Sequence, residues 1–566
     1  MRFSLFCLLL SNFLLAQNNF PKDYFSPPLD IPMQLSGNFG ELRPNHFHAG
    51  FDFKTQQKEG LKVFASAEGY VSRIKISTFG NGKTIYITHP NGYTSVYAHL
   101  QKAVGTIQDF ITKTHYTEQA FEVEMFLKQG EIPVKKGEWI ALSGNSGASE
   151  GPHLHYEIRD SETEYIINPM LFGFDTGFKD TKKPILAGLY VYPINSQTIV
   201  NKSQRPLLVN FSLQKDGSFL SDKVQANGPI GFGIITNDYD DVSFNKNGVY
   251  RVNSFLNGKY SFGYQFDTYS FDDMRYVNAL IDYSKYKQTQ QRVQKLFMEN
   301  KYNLPFVATD EAKGQITPIP NLDQIYRIEV SDFYGNLTSV TVPVQFDSSS
   351  AIIPAVTEFS PYFVKANKDN LFEKENASVF FPAGTFYDDF ALNFDFKNKV
   401  LNLHDDSVPA HTSFTISITD SQFSKEQSEK IYIGRMEGDK YNYNYTFRKD
   451  SVFSAKVKTL GKYKLLSDTI APKITISKPI EGKWLSQDTI QLQISDIGSG
   501  IKNYNGFLNE KWVLFEYDNK TNKITHFFSD EFLKDGANEL KVIVIDNVGN
   551  STTFETRFFR SLKNKK

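Results

Sequence analysis

Short runs of alternating apolar and polar residues, closed by Gly and Asn turns, make up most of this chain. Residues 63–65, 69–76, 83–88, 94–99 and 139–143 are brief stretches rich in β-branched and aromatic side chains, which read as strands. Turns such as Phe79-Gly80-Asn81-Gly82 and Pro90-Asn91-Gly92 separate them, because these residues tolerate the backbone conformations that a tight reversal needs. Before about residue 100 no segment has a helical period. Residues 101–133 read as an insertion between two sheet strands, and within it the pattern predicts one amphipathic helix over 116–127, with Phe121, Met125 and Phe126 available to pack downward.

Beyond residue 175 aromatic residues, Asn and Ser increase, and turn signals recur about every ten residues, as in antiparallel sandwiches. A weak internal repeat supports that reading. Residues 326–336 and 540–550 are each a strand ending in an Asp-x-x-Gly-Asn turn, and each unit has an earlier Asp turn, at Asn237-Asp238 and at Asp496-Ile497-Gly498-Ser499-Gly500. These acidic turns could bind calcium, but their spacing matches no dedicated loop, and turn chemistry is the better reading. The expected organisation is all-β dominated: a compact antiparallel sheet domain over 17–175, a sandwich over 176–347, a β domain over 352–466 and an Ig-like sandwich over 467–562.

Length agrees, since 566 residues exceed one core and suggest three or four domains at about 150 residues each. A composition of 40% hydrophobic and 22% charged residues is that of an ordinary globular protein, and a net charge of -1 gives no electrostatic reason to expect nucleic acid as a partner. Residues 1–16 read as a secretory signal, with Arg2 before an apolar run and Ala16 at its end, too short for a permanent membrane span. Export to the periplasm or cell envelope, or beyond the cell, follows. Cys7 is the only cysteine and lies in that signal. Any metal ligands in the mature chain must therefore be His, Asp or Glu.

Candidate chemistry sits in three motifs: His46-Phe47-His48-Ala49-Gly50-Phe51-Asp52, Tyr97-Ala98-His99, and Gly151-Pro152-His153-Leu154-His155-Tyr156-Glu157. Seven of the ten histidines precede residue 156, and five of those seven fall in these motifs. Side chains at i and i+2 of a strand share a face, so His153 and His155 project together, one to hold a metal and one to act beside it. His48 and Asp52 lie four apart around Gly50, which permits a bend turning both toward one ion. Arg43 and His46 stand near enough to support a ligand or touch substrate, though a structural role is as good a reading of each. Glu157 is placed to orient a ligand. His89, His115, His404, His411 and His526 sit singly and receive no role.

These motifs resemble those of the lysostaphin/LytM-type zinc endopeptidases, which cut peptides in bacterial cell walls. The family pattern is an H-x-x-x-D pair, a later H-x-H, and a further histidine after an alternating strand. Residues 67–71 and 137–140 match its flanking text, and the likeness covers roughly residues 35–170. It implies one Zn2+ per chain, held by His48, Asp52 and His155, with His99 and His153 as catalytic histidines. It also implies peptidoglycan stem or cross-bridge peptides as substrate, cleaved by a zinc-activated water. The alternatives are a non-catalytic relative that binds cell wall or activates another hydrolase, and a zinc peptidase directed at a secreted protein. The C-terminal β-domains would serve as spacers or bind an envelope protein.

Overall fold

The computed structural model describes residues 20–299, 304–355, 360–529 and 531–562; the signal segment expected at 1–16 lies outside them. The strands that build the site are β1 (Leu35–Gly37), β2 (Phe51–Lys54), β3 (Lys62–Phe64), β4 (Gly69–Ile76), β5 (Lys83–Thr88) and β6 (Tyr93–Ala98). They are followed by helix α1 (Gly105–Glu118), β7 (Val123–Phe126), β8 (Trp139–Leu142) and β9 (His153–Asp160). The main sheet is antiparallel with order β1-β2-β9-β6-β5-β4-β7, and β3 and β8 pair in a small second sheet. β9 therefore lies inside the sheet although it comes last in sequence of these seven strands. Its register sets His155 opposite Asp52 on β2 and opposite Ala98 on β6. Leu154, Tyr156 and Ile158 fill the core from the other face, as the two-residue side-chain period of a strand demands.

The helix of the insertion is not where the pattern predicts it. It runs over Gly105–Glu118 and ends at Gln119 in the left-handed conformation, while Val123–Phe126 is a strand paired with β4. The physical reason lies in the periods. Ile107, Ile111 and His115, four apart, are the buried face of the helix, whereas Val123, Met125 and Leu127 recur two apart and are buried in turn. Phe126 consequently points outward, 74% exposed, beside Arg73.

One hydrophobic core runs continuously from Phe25 to Val344, so the first sheet domain and the sandwich after it are packed as one body. Ile166–Ile167 of the first pairs with Thr268–Tyr269 of the second, and Phe47 packs against Phe266, Tyr269 and Phe306. Residues 362–467 form two five-stranded sheets and a two-stranded one, and residues 473–560 two four-stranded ones, each region around its own core. Their strands show the alternation that a half-buried sheet requires, as in Thr489–Ser495.

The final sandwich folds back onto the first domain. Tyr116 of α1 stacks on Phe532 at 5.2 Å and meets Trp512 edge-on at 5.4 Å. Lys83 pairs with Glu516 at 2.6 Å, and Lys520 donates to Asn145 Oδ1 at 2.9 Å. The insertion thus helps to bridge the first domain and the last. Two aromatic pairs contribute about 1–3 kcal/mol beyond their buried area. Tyr116→Ala is therefore expected to release the final sandwich, seen as a larger radius of gyration in small-angle scattering with zinc content unchanged.

Candidate metal centre

β2 and the turn before it bring His48 and Asp52 to the centre, and β9 supplies His155 from the neighbouring strand. His48 Nε2 lies 3.1 Å from Asp52 Oδ1 and 3.1 Å from His155 Nδ1, and His155 Nδ1 lies 2.8 Å from the same oxygen. All three residues are buried. The close approach of β2 to β9 depends on Gly50, where a Cβ would stand 2.1 Å from the Tyr156 carbonyl oxygen.

The outer nitrogens of both imidazoles are already committed. His48 Nδ1 donates to the Asn38 carbonyl at 2.7 Å, and His155 Nε2 donates to Glu157 Oε1 at 2.8 Å. Carbonyl and carboxylate oxygens only accept, so these partners fix the hydrogens outward and leave a lone pair on the inner nitrogen of each ring. Two lone pairs 3.1 Å apart beside a carboxylate require a cation or a proton between them. Burial holds His48 down at about 4. Burial opposes charge on His155 as well, but Asp52 and Glu157 outweigh it and lift that ring to about 9. Burial would raise Asp52; its three histidine neighbours instead keep it well below the usual carboxylate range. A carboxylate with one imidazolium is thus the favoured state when only protons are present, and a divalent metal bound by these three groups would displace that proton.

The donor set fits zinc: two imidazoles and one carboxylate, with the carboxylate held to one free oxygen because Arg43 takes Asp52 Oδ2 at 2.6 Å. Arg43 also bonds Glu41 at 3.1 Å, so its side chain faces the centre. His46 bonds the Pro44 carbonyl. Glu157 is held in turn by Arg159 at 2.7 Å, and Arg159 by Glu164 at 2.9 Å, so a charge chain runs from the buried His155 to the exposed Glu164.

His99 and His153 flank this trio. Their rings are 4.8 Å apart, and His99 lies 5.8 Å from His155. His99 Nδ1 donates to the Ser146 carbonyl at 2.8 Å and His153 Nδ1 to the Gly151 carbonyl at 2.8 Å, so Nε2 of each ring points away from these carbonyls. His153 Nε2 is 3.4 Å from Asp52 Oδ1. Burial, then the neighbouring His155 and His153, hold His99 neutral, at about 3. His99 itself sits at φ 57°, a left-handed conformation that a non-glycine residue adopts at a cost, maintained by its amide bond to Asn81 and its ring bond to Ser146. The glycine-rich loop that supplies Ser146 and Gly151 packs on the Gly80-Asn81-Gly82 turn. Gly147, at φ 74°, stands where a Cβ would lie 2.4 Å from the Gly80 oxygen.

Residues 46–116 match peptidase family M23, and residues 361–468 match the Zu5-like domain family. The chain carries a peptidase family M23 domain. The family match includes His48, Asp52 and His99 and stops within α1; His153 and His155 follow the insertion. An uncharacterized metalloprotease of Haemophilus influenzae is 38% identical over 118 residues, 21% of this chain and 19% of that protein. The peptidoglycan DD-endopeptidase ShyC of Vibrio cholerae is 30% identical over 142 residues, 24% of this chain and 27% of that protein. The catalytic domain of lysostaphin from Staphylococcus simulans shares 25% identity over 24% of this chain and 87% of its own, with a TM-score of 0.18. The likeness to the two curated relatives thus spans about a fifth to a quarter of their length.

The single histidines assigned no role are held by local bonds, as His89 to Glu68 and Ser95, His115 to Ala120 and His526 to Leu514. The supports that the motifs did not reveal are backbone carbonyls, those of Asn38 and Ser146, which no residue type signals. Glu157 was the legible one, through its i+2 spacing from His155. Replacing Glu157 by Gln keeps an acceptor but removes its charge and strands Arg159. A loss of roughly 10–100-fold in zinc affinity is expected, read by competition with a chromophoric chelator.

Proposed function

We propose that the M23 domain is a zinc endopeptidase that hydrolyses peptide bonds in peptidoglycan stem or cross-bridge peptides. The observation that carries this reading is the convergence of His48 Nε2, Asp52 Oδ1 and His155 Nδ1, with His99 and His153 beside them. The names of relatives support the substrate class: ShyC of Vibrio cholerae is a peptidoglycan DD-endopeptidase, and Mpg of Neisseria meningitidis a DD-carboxypeptidase/endopeptidase. Such a substrate requires export, in keeping with the signal read at residues 1–16, into the periplasm or envelope. No helix among the described residues is long and apolar enough to cross a membrane.

His48, Asp52 and His155 are the ligands in this reading. These three side chains would hold a zinc ion, which would supply Lewis-acid polarisation of a water and of the scissile carbonyl. His99, whose Nδ1 is held by the Ser146 carbonyl, would present Nε2 to that water as the proton acceptor. His153, whose Nε2 also faces the centre, would help orient the water, and the two rings together would return its proton to the leaving amine. Glu157 and Arg43 position His155 and Asp52 without touching substrate. The sandwiches that follow are spacers or surfaces for an envelope protein.

Digestion of purified peptidoglycan by the full chain, followed by mass analysis of the fragments, tests this reading. Cleaved peptide cross-links are expected, abolished by chelator and restored by zinc. His48→Ala, Asp52→Ala and His155→Ala are expected to lose zinc, because three ligands leave none to spare. His99→Ala and His153→Ala are expected to keep it while turnover falls by about 10²–10⁴. Equal zinc content in all five variants would contradict the ligand assignment, and intact cross-links with zinc-loaded protein the substrate.

A further inference from the structure

The acidic turns of the two sandwiches do not stand alone in three dimensions. Asp180, Asp238 and Asp332 each bring a carboxylate oxygen within 4.8 Å of the others, and Asp468, Asp496 and Asp546 do the same. The two clusters are built alike. In each, the first aspartate comes from the linker entering the sandwich, within an Asp-Thr-x-x-Pro segment, at Asp180–Pro184 and Asp468–Pro472. The second follows a core strand, Ile230–Asn237 or Thr489–Ser495. The third opens the Asp-x-x-Gly-Asn turn, and the asparagine of that turn donates to the carbonyl of the linker aspartate, Asn336 to Asp180 at 3.2 Å and Asn550 to Asp468 at 3.1 Å.

Buried acceptors without donors point to a ligand at both places. Asp238 and Asn247 are 5% and 7% exposed, and the Oδ1 of each has no hydrogen-bond partner among the described residues. Both line, with Asp180 and Asp332, a cavity of about 50 Å³. In the second cluster Asp496 Oδ1 and the hydroxyl of Ser499, a residue 1% exposed, are likewise without partners, and the Ser499 amide bonds Asp468. Buried polar atoms are nearly always satisfied in native proteins, so an exception of this kind marks an ion or a water. Lone acceptors beside three carboxylates favour the ion.

We propose that each sandwich binds one calcium ion where its linker enters, through Asp180, Asp238, Asp332 and Asn247 in the first and Asp468, Asp496 and Asp546 in the second. The donors are all hard oxygens, without the nitrogen or sulfur that zinc selects. Carboxylates and an amide oxygen on separate loops suit the flexible six-to-eight coordination of calcium better than the strict octahedron of magnesium. Because one ligand belongs to the linker and the others to the sandwich, the ion fastens each sandwich to the chain that precedes it. Tyr334, two residues after Asp332, reinforces the first junction by donating to the Asp175 carbonyl. None of this depends on the peptidase reading.

Calcium titration of the zinc-loaded full chain by calorimetry tests the proposal. Two ions per chain are expected, with dissociation constants of about 10⁻⁴–10⁻³ M, the range of extracellular modules. Asp238→Asn and Asp496→Asn should each remove one ion, and the double variant both, while zinc content stays unchanged. Asn is isosteric and relieves repulsion, so the calcium-free variants should fold at least as well as the parent. Terbium luminescence on the unmodified chain is a second readout independent of any variant. Tyr250 and Tyr334 line the first cavity and should sensitise the signal, which calcium should quench by displacement. Fewer than two ions on the parent chain, undiminished binding in the double variant, or terbium emission indifferent to calcium would overturn the proposal.

Discussion

The register of one strand decides whether this molecule has a metal centre. β9 lies between β2 and β6, with His155 opposite Asp52 on one side and Ala98, the neighbour of His99, on the other. A slip of one residue would carry His153, His155 and Glu157 to the opposite face. What prevents the slip is the other half of the same strand. Leu154, Tyr156 and Ile158 are completely buried, and exposing them would cost about 1.5–3 kcal/mol each. The hydrophobic face thus fixes the polar one, and the chemistry rests on apolar packing.

The polar face is stiffened from behind. His155 leans on Glu157, Glu157 on Arg159, and His48 on the Asn38 carbonyl, which in turn belongs to a turn bonded to Gly248 of the sandwich. Tyr269 of the sandwich also donates to the His48 carbonyl. The sandwich after the M23 domain therefore supports the centre directly, through a shared core as well as through these bonds. A domain that sequence order would treat as an attachment is part of what holds the site.

Much of the centre was legible because its signals are local. His48 with Asp52 and His153 with His155 are short spacings whose geometry follows from strand and turn periods, and Glu157 extends the same face. The helix of the insertion was not, because Val123, Met125 and Leu127 have a strand's period that a mixed window of aromatic and acidic residues disguises. The acidic clusters were half legible. The turns at Asp332 and Asp546 could be read, but each cluster draws its first aspartate from a linker that is remote in sequence from the other two. The shared core between the M23 domain and its neighbour has no sequence signature, since each contributing strand alternates as it would in a separate domain.

The central claim is that a single metal joins β2 to β9 through His48, Asp52 and His155. Diffraction from crystals of the zinc-loaded full chain, at wavelengths on either side of the zinc edge, tests it most directly. One anomalous peak is expected, about 2.0–2.2 Å from His48 Nε2, Asp52 Oδ1 and His155 Nδ1, with His99 and His153 beyond bonding distance. A peak bonded to His99 or His153 in place of one of the three, or no peak between the two strands, would contradict it.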